Sequence, residues 1–138
     1  MGKVQILAVL TMDGCLSSEL YDKAHQDLCL DRCGLDEIRK KAFYRVTPDY
    51  SISMLHEWRK DCTNIRYLAE ATPDTADYIN GLLRMHAVDE IILYTVPFIS
   101  GSGRHFFKSA LPEQHWTLSS LKSYPNGVCR IIYILDKK

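Results

Sequence analysis

Two short polar segments interrupt long apolar runs with residue types that can hold and process a small ligand. Thr11-Met12-Asp13-Gly14 follows the run Val4 to Leu10, and Gly101-Ser102-Gly103-Arg104-His105 follows the run Ile91 to Ile99. A tight turn past the carboxyl end of a central strand is where open α/β sheets place ligands, because strand ends diverge there and leave a crevice. Asp-Gly is also an ordinary, favourable turn dipeptide, so the turn by itself admits both readings. Gly101 and Gly103 force a loop in which backbone can approach another group closely. Asp13 is the carboxylate within the first of these turns. Glu19 and Asp22 fall near the start of an expected helix, where acids are also favoured by the dipole. The histidines at 25, 56, 86, 105 and 115 are dispersed, with no pair at ligand spacing; each reads as a surface or packing histidine before a base, and His105, inside the glycine loop, is the one to test as a base.

Other chemistries lack their residues. The sequence contains no G-x-x-x-x-G-K-[ST] phosphate loop, no G-x-S-x-G elbow and no H-E-x-x-H zinc helix. The deaminase pattern of H-x-E with P-C-x-x-C is absent as well. Five cysteines, at 15, 29, 33, 62 and 129, are odd in number and scattered. They read as buried thiols rather than as a disulfide framework or a metal site.

The elements that must position these residues follow from pattern. With 138 residues the chain can bury roughly two-thirds of its unfolded surface in one core, so a single domain over residues 1–138 is expected. Seventeen basic against seventeen acidic residues give no field to gather nucleic acid or an anionic membrane. The run VQILAVL is too short to span a membrane. A cytoplasmic protein is expected, with no nucleic-acid or membrane partner.

Val4 to Leu10 reads as a buried first strand. Ser17 and Ser18 are plausible N-caps for a helix through Leu20, Ala24 and Leu28, with Gly34 as its stop. Leu35 to Ala42 is a second short helix whose Arg39-Lys40-Lys41 cluster forms a solvated face or meets a phosphate. Phe43 to Val46 is a strand candidate, and Ser53 starts a helix with Met54, Leu55, Trp58 and Cys62 on one side. Ile65 to Ala69 is a strand. Thr72-Pro73-Asp74 opens a helix with a hydroxyl cap, a first-position proline and an acid, leading through Ala76, Ile79, Leu82 and Leu83 to the strand Ile91 to Ile99. The right-handed crossover makes these two strands parallel. Asn126-Gly127, between His115 to Leu121 and Val128 to Leu135, predicts an antiparallel hairpin.

The run DEIILYTVP leading into GSGRHFF, the turn TMDG and the closing stretch LKSYPNGVCRIIYIL together resemble the dihydrofolate-reductase-like fold. They are most similar to the reductase domain that forms the C-terminal half of bifunctional riboflavin-biosynthesis proteins. The resemblance implies a mostly parallel sheet flanked by helices with an antiparallel C-terminal hairpin. It further implies NADPH-dependent hydride transfer to a pyrimidine- or pterin-like heterocycle, and a homodimer. On this resemblance Ala8, Thr11, Asp13 and Gly14 border the nicotinamide, while Gly101, Ser102 and Gly103 form the opposite wall. Arg104 meets a phosphate or carboxylate there, or is simply an exposed loop cation. Glu19 or Asp22 would lie beneath the substrate ring, and no metal is called for. The family's Gly-Gly pair before the Thr72-type helix is replaced by Leu68-Ala69-Glu70-Ala71-Thr72, which is expected to bring the Glu70 charge close to a cofactor diphosphate. The family's middle region with a G-R-x-T segment is likewise not recognisable, Tyr44-Arg45-Val46-Thr47 being the nearest string. Those departures leave a second reading: a member that keeps the fold without catalysis and serves as a ligand-binding or dimerisation module.

Overall fold

The computed structural model describes residues 3–16, 34–42, 44–61, 65–97, 99, 104–107, 111–125 and 127–136. β1 (Lys3–Leu10) is the centre of a six-stranded sheet, with β3 (Tyr44–Arg45), β4 (Arg66–Glu70), β5 (Glu90–Thr95), β7 (Trp116–Ser123) and β8 (Cys129–Leu135) ordered β3-β4-β1-β5-β8-β7. The first four strands in that order run parallel, and β8 and β7 are antiparallel. A separate two-stranded ladder joins β2 (Cys15–Leu16) to β6 (Arg104–His105). Among the described residues the helices are α1 (Leu35–Lys41), α2 (Ile52–Asp61) and α3 (Ala76–Arg84).

The alternation of β1 explains the layering. Val4, Ile6, Ala8 and Leu10 pack with Leu55 of α2 and with Ala76, Ile79, Leu82 and Leu83 of α3. Leu7 and Val9 point to the other face, where Leu35 and Ile38 of α1 cover Leu68, Ile92 and Tyr94. The chain leaves β1 towards β3 in one direction across the sheet and passes from β4 to β5 in the other. Right-handed crossovers therefore put their helices on opposite faces. A strand covered on both sides is largely apolar, and β1 beyond Lys3 is buried residue by residue, its one polar side chain, Gln5, donating to the Glu90 carboxylate. Its start is clamped by Asp89, whose carboxylate accepts the Val4 N–H at 2.8 Å and whose own N–H donates to the Val4 carbonyl at 2.8 Å.

Several sequence expectations are adjusted by this packing. The strand expected over Ile91 to Ile99 ends at Thr95, and Ile99 is 70% exposed. β4 and β5 are parallel but not neighbours, because β1 lies between them. α2 begins at Ile52 rather than Ser53, with Ser51 Oγ accepting the Met54 N–H at 3.2 Å. Met54 consequently faces solvent while Leu55 is buried and Trp58 packs against the core. There Tyr67, Tyr44 and Trp58 form a three-ring cluster, with Tyr67 at centroid distances of 5.6 Å from Tyr44 and 5.8 Å from Trp58, and Tyr44 and Trp58 6.3 Å apart. α3 is helical only from Ala76, preceded by a turn in which Thr72 and Thr75 hydrogen-bond reciprocally. The Asn-Gly hairpin is present: Gly127 takes φ 90°, and Tyr124 N–H donates to Val128 O at 2.9 Å. Gly34 has φ 85° and occupies the N-cap position of α1. The helix expected between Ser17 and Gly34, over residues 17–33, lies outside the described residues.

Candidate active site

The site is built where β1 and β4, adjacent and parallel, send their following helices to opposite faces. Strand ends diverge at such a switch point. Beyond Leu10 the chain makes a closed turn. Thr11 N–H donates to Cys15 O at 3.1 Å, and Gly14 N–H donates to Thr11 O at 3.0 Å. Thr11 Oγ1 accepts the Cys15 N–H at 3.1 Å and donates to the Asp13 carboxylate. Gly14 has φ 78°, a conformation that costs an L side chain. The single Thr11 hydroxyl is therefore spent on both fixing Asp13 and closing the turn. Met12, at the tip, is 62% exposed.

The segment after β5 returns to this turn and pairs with it. Cys15 lies opposite His105 and Leu16 opposite Arg104, and the ladder is extended by the Phe106 N–H donating to Gly14 O at 3.1 Å. Cys15 Sγ sits 3.4 Å from Nδ1 of the exposed His105. Val96 N–H donates to Leu10 O at 2.9 Å, so the end of β5 is tied to the end of β1 just before the two chains separate. Asn80 fixes the returning segment from below. This buried side chain donates to Phe106 O at 2.7 Å and to Ala76 O at 2.8 Å.

Thr11, Asp13 and Gly14 thus form one turn, with the backbone of Arg104 and His105 in the ladder beside it. Ala8 is buried two residues before the end of β1, on the α3 side. The calls on Glu19, Asp22, Gly101, Ser102 and Gly103 lie outside the described residues, as does the Arg104 side chain. Sequence reasoning missed Cys15 and Asn80. The only signal for Asn80 was a polar residue on the apolar stripe of α3.

Glu70 does not stand where the sequence suggested. β4 alternates so that Arg66, Leu68 and Glu70 share the α1 face, and the Glu70 carboxylate is paired with Arg39 Nε. Ala69 and Ala71, on the opposite face, are buried in the core. At the turn entering α3, Thr72 N–H donates to Thr75 Oγ1 at 2.8 Å, Thr75 N–H donates to Thr72 Oγ1 at 3.2 Å, and the Thr75 hydroxyl donates to Glu70 O at 2.8 Å. The helix entry presents hydroxyls and amides, with Asp74 inside the turn and Asp77 in the first turn of α3, while the Glu70 carboxylate is held on the other face by Arg39. Among the described residues no group of three His, Cys, Asp or Glu side chains could hold a metal ion. None of the described helices is long and apolar enough to cross a membrane.

No family model and no curated protein matches the sequence. Solved structures do. A Shewanella sp. PV-4 protein assigned by description to riboflavin biosynthesis superposes with a TM-score of 0.64 at 11% identity, covering 98% of this chain and 99% of that one. RibD of Acinetobacter baumannii gives 0.60 at 12% identity over 99% of this chain, which spans only 59% of that longer protein. A pyrimidine reductase-like protein from Corynebacterium diphtheriae gives 0.56 at 13%, covering 99% and 92%. With its parallel β3-β4-β1-β5 core and antiparallel β8-β7 hairpin, the chain has the dihydrofolate-reductase-like fold in the form found in riboflavin-biosynthesis-type reductase domains.

Proposed function

We propose that this protein is an NADPH-dependent reductase of a pyrimidine- or pterin-like heterocycle, related in activity to the reductases whose fold it shares. The observation that carries the reading is the β2–β6 ladder, which joins the Asp13-Gly14 turn and the segment after β5 at the carboxyl end of β1. The chemistry needs a flat substrate and a cofactor ring held face to face with water excluded, more than it needs a nucleophile. Bound NADPH would supply the hydride. Thr72 and Thr75 would hold its diphosphate, exchanging their mutual hydrogen bonds for bonds to phosphate oxygens. The turn Thr11 to Gly14 would border its nicotinamide. Asp13, oriented by the Thr11 hydroxyl, would accept a hydrogen bond from a ring N–H of the heterocycle and fix which edge faces the cleft.

The test is a titration of the protein with NADPH, followed by cofactor emission. Saturable binding that weakens in Thr72→Val/Thr75→Val supports the reductase, and no binding at millimolar cofactor removes it. A second reading, a non-catalytic dimerisation module, draws on the exposed edge strand. A bulge at Ser119 leaves Leu118 and Leu121 on the same side of β7, paired with Tyr133 and Ile131, and these leucines are 50% and 62% exposed. Under that reading sedimentation gives a dimer that Leu118→Asp/Leu121→Asp dissociates, and NADPH does not bind.

A further inference from the structure

On the α1 side of the sheet, away from the Thr11–Gly14 turn, lies a cavity of about 260 Å³. Its floor follows from strand pairing. Ile92 of β5 is flanked by Ile132 of β8, and Gln5 of β1 lies one pleat along, opposite Glu90. Lys41, Arg66 and Arg130 reach its walls, with Glu37 and Glu90 as the opposing carboxylates. Glu90 is already engaged, accepting from Gln5 Nε2 and lying 4.0 Å from Lys3 Nζ. The lining is therefore net positive.

Arg130 is the anomalous member. Its Nε is buried and, among the described residues, has no hydrogen-bond partner. A guanidinium remains charged at every accessible pH, and a buried donor of a charged group left unmade costs more than a neutral one. The site nevertheless accommodates it: a Cβ on Gly34 would come within 3.0 Å of Arg130 Nη1, so the glycine leaves the guanidinium its space. The volume exceeds the roughly 30 Å³ share of one water and falls just below the range of about 300–1,000 Å³ typical of drug-sized ligands. The forked donor geometry of arginine matches carboxylate and phosphate oxygens.

We propose that this cavity is a binding site for a small anion, carboxylate or phosphate, paired with the guanidinium of Arg130, which lines it, while Lys41 and Arg66 supply the surrounding positive charge. None of its lining residues belongs to the Thr11–Cys15 turn or to β6, so the site stands whether or not NADPH binds the cleft.

Calorimetric titration at low ionic strength with inorganic phosphate and, separately, with malonate tests it, alongside the Arg130 Nε–H resonance in a nitrogen-edited NMR spectrum. Saturable binding of either anion is expected, with movement of that resonance and affinity weakened about tenfold or more in Arg130→Met. Which anion binds identifies the chemistry. Where Arg130→Met fails to give a native circular dichroism spectrum, Arg130→Lys carries the comparison, keeping the charge but losing the fork. No saturable heat from either probe, or binding that survives loss of the guanidinium unchanged, overturns the proposal.

Discussion

Cys15 Sγ and His105 Nδ1 lie 3.4 Å apart across a ladder only two residues long, although ninety positions separate them in sequence. The contact marks the point at which the chain's first turn is locked to the segment after β5. Everything proposed for the cleft depends on this junction, and the side chains that maintain it are open to substitution.

Thr11→Val removes one hydroxyl that serves two partners, the Cys15 N–H and the Asp13 carboxylate. Thr11 is buried, so valine leaves the Cys15 donor unmade. A loss of about 1–3 kcal/mol is expected, read from urea denaturation. Ligand affinity in the cleft should fall along with stability.

Asn80→Leu tests the support beneath the cleft. The side chain is fully buried and donates to Phe106 O and Ala76 O, and leucine of similar size leaves the Phe106 carbonyl without that donor. About 1–3 kcal/mol is expected. Amide exchange at Phe106 should accelerate more than exchange in β4, since the lost bond holds the returning segment and not the sheet. Equal acceleration in both would assign Asn80 to general packing.

Much of this architecture was legible before any coordinates. β1, the Asn-Gly hairpin and the helix introduced by Thr72-Pro73 each rest on chemistry within a few residues, so pattern sufficed. The β2–β6 ladder does not. Two residues carry no periodicity, and their register is set by tertiary closure. Ile99 misled because an apolar run says nothing of where pairing stops, and here the strand ends at Thr95 before Pro97. Glu70 misled for a different reason: its distance from the helix start is visible in sequence, but which face of β4 it occupies depends on strand register. The turn at Asp13-Gly14 was legible from its dipeptide, whereas the contacts of Cys15 and Asn80 needed their partners to be seen.

Glu70→Gln separates the two possible roles of that carboxylate. Because it faces α1 and pairs with Arg39, with both side chains about one quarter exposed, its neutralisation should cost no more than about 1 kcal/mol. It should also leave NADPH affinity unimproved. A clear gain in cofactor affinity on the same emission titration would return Glu70 to the diphosphate path.

Tyr78 donates its hydroxyl to Tyr50 O at 2.8 Å, and burial pushes its pKa above the ordinary value of 10.0. The sign follows directly. Below that ordinary value both folded and unfolded chains keep the phenol protonated, and the full contribution is present; as pH rises above it the unfolded chain ionises first, and stability is lost. Tyr78→Phe should lower stability at neutral pH by about 1 kcal/mol and flatten the alkaline decline. Parallel stability curves for the two proteins above pH 10 would contradict this.

The central position of β1 also orders events in time. Its two neighbours, β4 and β5, begin more than sixty and more than eighty residues further along the chain, and the partner of its terminal turn emerges later still. Contacts of such long sequence separation slow folding because loops must close before pairing rewards them. On a ribosome, an emerging N-terminal segment would therefore present an apolar strand with nothing to pair with. Capacity to bind in the cleft would arise only once residues past Phe106 had been synthesised.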